Sequence, residues 1–155
     1  MLIEIEFLAD HPELVPLLST WFFNEWGRNN PALTVEVIEE AVKQRLNRDK
    51  PPLCLVAFVE NQPVATVALK IREMETHPQY EHWLGNVYVL PEYRAQGIGT
   101  AVIERARDEA KHIGICNLYL YTRDRARLYA RSGWQTIEEV TYRDRRATIM
   151  WQELT

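Results

Sequence analysis

V-Y-V-L-P-E-Y-R-A-Q-G-I-G, running from Val87 to Gly99, passes from an apolar strand through a short turn to glycines that open a helix. The helix expected from Ile98 to Ile113 begins with backbone N–H groups that lack intrahelical partners and with the positive end of its dipole. Such donors suit an anionic pyrophosphate. Gly97 and Gly99 let the main chain approach a ligand with no Cβ in the way and permit unusual φ/ψ angles.

Working outward, Trp83 to Leu90 is the strand before the glycines, and Ile98, Val102, Ala106 and Ile113 are the buried stripe of the helix, which Gly114 ends. Asn117 to Tyr121 reads as the next strand and Arg125 to Arg131 as a short helix stopped at Gly133. Trp134 to Tyr142 and Ala147 to Gln152 form a closing hairpin across Arg143-Asp144. Upstream, Leu2 to Leu8 alternates apolar and acidic residues as a half-buried strand does. Asp10 offers an N-cap, with Pro12 in the first turn and Glu13 three residues past the cap, as in a capping box. Leu14, Leu17, Leu18, Trp21 and Phe22 follow at helical spacing to Gly27. A second helix starts at Thr34; Val35, Ile38, Val42 and Leu46 form its apolar stripe, Glu36, Glu39, Glu40, Lys43 and Arg45 face outward, and Pro51 and Pro52 end it. Leu53 to Val59 and Val64 to Ile71 pair as a hairpin over the turn Glu60-Asn61-Gln62-Pro63. The order is β-α-α-β-β-β-α-β-α-β-β, and its central strand–helix–strand crossover requires a parallel pair within a mixed sheet. A chain of 155 residues makes one α+β domain over residues 1–155.

Hydrophobic residues at 46% and charged residues at 26% belong to an ordinary globular protein. No apolar run nears the ~20 residues that span a bilayer, so no membrane partner is expected, and M-L-I-E-I-E-F lacks a signal-peptide pattern. Cys54 and Cys116 each fall in an apolar strand-like run without CxxC or His-cluster spacing, which reads as buried free thiols and no metal site. A reducing, cytoplasmic setting fits. The net charge of −4 argues against nucleic acid as a partner. Residues 1–80 carry 7 Lys+Arg against 12 Asp+Glu, and residues 81–155 carry 11 against 10. An acidic half beside a phosphate-holding half suits a cationic acceptor and an anionic cofactor, although a solvated acidic surface accounts for the same asymmetry.

Three phosphate-binding patterns compete for the glycines. G-x-G-x-x-G requires a small residue where Val102 stands and glycines close behind the strand, yet Leu90 to Gln96 intervene. A P-loop requires Lys followed by Ser or Thr, which is missing here. What remains is R-x-x-G-x-G, filled by Arg94, Gly97 and Gly99 after a V-x-V strand and a P-E-Y-R turn. In this the chain resembles the GNAT superfamily of N-acetyltransferases. The likeness continues about thirty residues on, where Leu128-Tyr129-Ala130-Arg131-Ser132-Gly133-Trp134 is similar to the family's L-Y-x-x-x-G-[FW] element. The element order also resembles the family's, which implies an acyl-CoA N-acyltransferase architecture: a mixed, mostly antiparallel central sheet with helices on both faces.

The resemblance implies acetyl-CoA as cosubstrate, held between the fourth and fifth strands, with no metal. By position, the backbone of Val87, Tyr88 and Val89 would pair with the pantetheine arm. Arg94 and the amides of Ala95, Gln96, Gly97, Ile98, Gly99 and Thr100 would hold the pyrophosphate. An N–H near Val89 or Leu90 would stabilise the thioester oxygen. Tyr129 stands where many members place a tyrosine that protonates the departing thiolate; the alternative is an aromatic that packs the short helix onto the sheet. Many members carry a glutamate base just before V-x-V, but this chain has Asn86, which takes up no proton at neutral pH. His82 is the nearest candidate base, with a strand-start packing residue as the alternative. Thr122 stands where some members have a cofactor-contacting Asn. Arg123, Arg125 and Arg127 suit a phosphate, an acidic acceptor or a solvated turn. Glu25 and Trp26, with Asn86, are candidates for the acceptor pocket, a carboxylate for an ammonium and an indole for a cation–π contact.

The implied reaction is acetyl transfer from acetyl-CoA to a primary amine, on a small molecule or a peptide N-terminus, by direct attack in a ternary complex. The alternative is a module that binds acyl-CoA as a sensor or partner domain without catalysis, which the missing glutamate favours. Strand-edge dimers occur among relatives, so a homodimer is compatible with the resemblance.

Overall fold

In the computed structural model, which describes residues 1–155, the strands are β1 (Glu4–Phe7), β2 (Leu53–Val59), β3 (Gln62–Ile71), β4 (His82–Val89), β5 (Asn117–Thr122), β6 (Gln135–Tyr142) and β7 (Arg145–Glu153). The helices are α1 (Val15–Phe22), extended by a π turn over Phe23–Gly27, α2 (Val35–Lys43), α3 (Ile98–His112) and α4 (Ala126–Arg131). All seven strands join one sheet in the order β1-β2-β3-β4-β5-β7-β6. Only β4 and β5 run parallel, and α3 makes the crossover between them. The sheet is mixed and mostly antiparallel with helices on both faces, as expected.

The near-continuous apolar run of β2 is explained by helices on both sides of it. Leu53, Leu55 and Ala57 point to one face, where they pack with Ile98, Val102, Ala106 and Ala110 of α3. Cys54, Val56 and Phe58 point to the other, against Val15, Leu18 and Phe22 of α1 and Val42 of α2. That second face continues beyond β4 as a separate cluster of Met74, Trp83, Tyr142, Ala147 and Ile149. Two apolar clusters therefore flank the middle of this face and leave space between them. The β2–β3 connection is tighter than expected: Glu60 (φ 50) and Asn61 (φ 65) form a two-residue left-handed turn, and Gln62 and Pro63 already belong to β3. Arg143 (φ 52) and Asp144 (φ 64) join β6 to β7 in the same way.

Three local expectations are corrected. The segment after β1 is two 3-10 turns, Leu8–Asp10 and Pro12–Leu14, and the helix begins only at Val15. The Asp10–Glu13 capping box does not form, because the Asp10 carboxylate pairs with Arg48 and Glu13 lies 3.7 Å from His11. Thr34 does cap α2, its Oγ1 accepting from the Val37 N–H at 3.1 Å. That helix stops at Lys43, well short of Pro51, and the turn that follows carries Arg45 into the interior instead of outward. Finally, Cys54 is sealed between sheet and helices while Cys116 is exposed in the turn before β5.

The cysteines give a direct check. Burial pushes the Cys54 thiol up to about 12. A water-soluble alkylating reagent at pH 8 should therefore label one thiol per chain in the native state, at Cys116, and two in denaturant; mass spectrometry of the labelled peptides reads the outcome.

Candidate functional site

The sheet opens where its only parallel pair should zip. β5 is bonded to β7 along its whole length, from Asn117 to Thr122, but it meets β4 in register only at Trp83 and Tyr119. The cause lies in β4. Thr66 faces Tyr88 and Ala68 faces Gly85, so β4 holds one residue more than β3 across this interval. The surplus is absorbed at Asn86, which takes φ 49. Such a bulge bends its strand and ends the regular ladder on the far side. Two bonds fix it: Thr66 Oγ1 donates to the Asn86 carbonyl at 3.0 Å, and Arg45 Nη1 donates to Asn86 Oδ1 at 3.1 Å.

Beyond the bulge the edge of Val87, Tyr88 and Val89 faces the gap. The Leu90 N–H is already donated to Val64 O at 2.9 Å and is not free for a ligand, contrary to one of the two sequence readings. Residues in an antiparallel pair alternate their bonding direction, so Val89 turns its N–H and C=O toward β5. Its carbonyl accepts from Arg94 Nε at 2.8 Å. The Val89 N–H is the amide left at the gap.

From there the chain makes a 3-10 turn, Pro91–Tyr93, and enters α3 through a loop with two left-handed residues, Ala95 (φ 61) and Gly97 (φ 84). Gly97 is the N-cap of α3 and offers no side chain to cap it. No main-chain or side-chain acceptor in the protein takes the N–H groups of Ala95, Gln96, Gly97, Ile98, Gly99 or Thr100; the first bond of the helix is Ala101 N–H to Gly97 O at 3.1 Å. The side chains nearby are drawn back. Gln96 Nε2 donates to Glu92 O at 3.2 Å, and the Arg94 guanidinium stacks 5.6 Å from the Tyr88 ring centroid. A Cβ built on Gly97 would meet nothing within 4 Å, so the space over this loop is open. A row of unpaired donors at the positive end of a fifteen-residue helix is an anion cradle.

After β5, α4 brings Tyr129 edge-on to Trp134 at 6.2 Å between ring centroids. Its hydroxyl makes no hydrogen bond to the protein. Burial raises the Tyr129 pKa above the usual phenol value; Asp124 adds to the rise and Arg125 opposes it. Thr122 is buried and its Oγ1 accepts from the Arg125 N–H at 3.0 Å, so it anchors the start of α4. Arg123 turns away from the gap. Its Nη1 donates to the carbonyls of Tyr142 at 2.9 Å and Arg145 at 3.0 Å, clamping the β6–β7 turn. Arg125 and Arg127 stay exposed beside an open cavity of about 600 Å³ that reaches Thr148.

The other expected residues divide into those that meet at the bulge and one that does not. Trp21 of α1 and Trp26 of the π turn approach Tyr88 at 5.6 and 6.2 Å, which places the π turn, where Glu25 is exposed, over the face of β4 at Tyr88. His82 is the first residue of β4, opposite Ile71, and about 16 Å of extended strand separates it from Val87. The fold does not bring it to the gap.

Sequence reading missed a polar group in the space between the two apolar clusters. Lys70 Nζ is paired with Glu73 Oε2 at 2.6 Å, and a Cβ on Gly85 would press to 3.1 Å from Lys70 Cδ, so the glycine makes room for that side chain. Burial lowers the Lys70 pKa and Glu73 counters it. Arg45, also buried, has its pKa lowered by desolvation, with Cys54 and Glu73 opposing. The missed signal for Arg45 is the absence of a helix-sustaining pattern after Lys43, where Gln44-Arg45-Leu46-Asn47 leads to the prolines.

Comparison with known proteins places this geometry. A model of the Acetyltransferase (GNAT) family matches residues 12–134. No curated protein matches the chain. Among solved structures, an aminoglycoside 6'-N-acetyltransferase complexed with coenzyme A is similar at a TM-score of 0.77 and 16% identity, covering 100% of this chain and 98% of that one. A GNAT-family acetyltransferase from Streptococcus pneumoniae is similar at 0.74 and 17%, covering 99% and 100%. The ribosomal-protein-S18-alanine N-acetyltransferase from Escherichia coli is similar at 0.69 and 19%, covering 99% and 95%. At these identities the likeness is one of fold.

The left-handed loop residues predict opposite responses. Gly97→Ala should lower the free energy of unfolding by about 1–2 kcal/mol, the cost of a left-handed L-residue. Ala95→Gly should be neutral or stabilising by up to about 1 kcal/mol, since relief of that strain offsets the added chain entropy. Urea unfolding of the pair measures both.

Proposed function

Because the chain belongs to the acetyltransferase (GNAT) family, we propose that it transfers the acetyl group of acetyl-CoA to a primary amine by direct attack in a ternary complex. The observation that carries the reading is the opening between β4 and β5, which leads into a row of unpaired amides at the start of α3; Tyr129, on the helix after β5, has a hydroxyl with no hydrogen bond to the protein. Acetyl-CoA, when bound, supplies an activated thioester. The N–H groups of Ala95 to Thr100 take its diphosphate, and the Val87–Val89 edge takes the amide-bearing arm as an added strand. The coenzyme A bound by the aminoglycoside 6'-N-acetyltransferase of the same fold supports that placement.

The Val89 N–H then meets the thioester oxygen as charge builds on it during attack, a contact stronger in the transition state than before it. Tyr129 donates to the departing sulfur. Full transfer from a phenol of pKa about 10 to a thiolate near 8.5 is uphill by about 2 kcal/mol, and burial widens the gap. The hydroxyl therefore works as a hydrogen-bond donor to the growing negative charge on sulfur, and a proton it gives up as the C–S bond breaks is returned to the phenolate from solvent. Asn86 cannot accept a proton and is committed to Arg45, so the position just before V-x-V supplies no base here.

That absence of a base favours a second reading, a module that binds acyl-CoA without turnover. Thiol release separates the two: a sensor binds coenzyme A yet releases thiol from acetyl-CoA no faster with amines than without them.

The cofactor claim predicts that coenzyme A at a hundred times its Kd stabilises the fold by about 2.7 kcal/mol. For a domain of this size that is a rise in Tm of roughly 5–10 °C. No shift at millimolar coenzyme A would overturn the reading. Tyr129→Phe should cut kcat by about 100-fold or more while leaving the Kd for coenzyme A within about twofold. Because burial raises the Tyr129 pKa above the usual phenol value, the donor stays protonated through mildly alkaline pH, so wild-type kcat should show no loss from this group below about pH 9; a fall between pH 8 and 9 that disappears in Tyr129→Phe would contradict the assignment.

A further inference from the structure

Arg45 is a buried cation with no anion of its own. The residue is 9% exposed. Of the five N–H donors of a guanidinium, one is used, in the 3.1 Å bond from Nη1 to Asn86 Oδ1. Nε and Nη2 make no hydrogen bond to the protein, yet neither is sealed from solvent. One face of the group lies 6.0 Å from the Phe22 ring centroid, which orients it without neutralising it.

The surroundings do not supply the missing charge. Glu73 is the carboxylate that acts on Arg45, but its Oε2 is held by Lys70 at 2.6 Å. Cys54, the other group facing Arg45, has its thiol pushed up to about 12 and is neutral. One buried cation, Arg45, and one half-buried cation, Lys70, thus share one half-buried carboxylate, which leaves a net positive charge where α1 and α2 meet the β4 bulge. Such a charge is costly to keep dry and unpaired. A bound anion removes that cost, and a planar guanidinium with free N–H groups on adjacent nitrogens matches a carboxylate in bidentate fashion. Asn86, which holds Arg45, immediately precedes the Val87–Val89 edge, so the charge sits beside the place proposed for the reacting centre.

We propose that Arg45 recognises a carboxylate on the acceptor, and that the acceptor is a small amine of the amino-acid type, carrying amine and free carboxylate in one molecule. Exposed Glu25 on the π turn, over the same face of β4, draws the ammonium end while Arg45 takes the carboxylate. The proposal rests on the acetyl-transfer reading for its reaction but not for its binding step, and the two are tested apart.

The experiment uses the full chain saturated with coenzyme A and a panel of matched probes: the twenty amino acids and their carboxamides, which keep the amine and remove the anionic charge. Calorimetry reads binding, and thiol release from acetyl-CoA reads transfer. At least one amino acid should bind, and its carboxamide should bind about ten- to a hundredfold more weakly, the loss expected for a charge-assisted hydrogen bond. Arg45→Gln should erase that ratio, and Arg45→Lys, which keeps the charge but loses the fork, should retain part of it. Equal affinity for acid and amide in the wild-type protein, or no binding by any amino acid, overturns the proposal, and neither result depends on a variant folding. Carboxylate-selective binding without thiol release sustains the recognition and removes the transfer reading instead.

Discussion

The extra residue in β4 is the constraint on which the rest of the molecule depends. A parallel β4–β5 ladder would satisfy both strands and close the sheet; the bulge at Asn86 prevents it after a single register pair. Main-chain groups left over in a protein interior need partners. Here the leftover groups on the β3 side are met by Thr66, and the side chain is met by Arg45, so the bulge is held against collapse from two directions. What stays unmet is the edge at Val87–Val89, the part of the strand that an extended, amide-bearing ligand can complete. The same backbone explains the residue type. A left-handed φ is tolerated by Asn better than by most side chains, so the position that reads as a missing base is filled by a residue whose conformation makes the opening.

The architecture was legible because its signals are local and repeated. β2 reads as a strand buried on both faces since every residue is apolar, and α3 reads as a helix since its stripe holds 3.6-residue spacing between Gly97 and Gly114. The left-handed entry into α3 was legible from Gly97, since φ 84 is a demand that few other residues meet. The failures have other causes. Asp10 has the chemistry of a cap but is claimed by Arg48, distant in sequence. Arg45 continues an outward-facing helical period on paper, but the helix has already ended. The Leu90 amide looks available until its bond to Val64 is seen. For Asp10 and Leu90 a long-range partner overrides a local propensity, and no period or spacing within the segment encodes that partner; for Arg45 the signal is local, the helix-sustaining pattern that stops after Lys43.

The charge asymmetry noticed between the two halves acquires a different meaning in three dimensions. The donors of the α3 cradle and the guanidinium of Arg45 lie on opposite sides of β4, one in the loop after the strand and one on the face packed by α1 and α2. Acidic residues dominate the first half by count, yet the one charge buried on that face is a cation, Arg45, beside the half-buried Lys70–Glu73 pair. Net charge describes solubility and steering at a distance; the buried groups, unscreened by salt, decide what the face accepts.

The position of Tyr129 has a comparable origin. α4 spans six residues, too few to be stable alone, so its orientation is imposed from both ends. At the start, Thr122 accepts the Arg125 N–H. At the finish, Gly133 adopts φ 91 and turns the chain back, so that the Trp134 N–H donates to the Tyr129 carbonyl at 3.2 Å and the indole meets the phenol edge-on. A Cβ on Gly133 would sit 2.7 Å from Gln152 Nε2, itself bonded to Ser132 O. The tyrosine–glycine–tryptophan spacing is thus a clamp in which each of these three residue types answers a geometric requirement. Its product is one hydroxyl, partly dehydrated, held without a protein hydrogen-bond partner on the helix that follows β5.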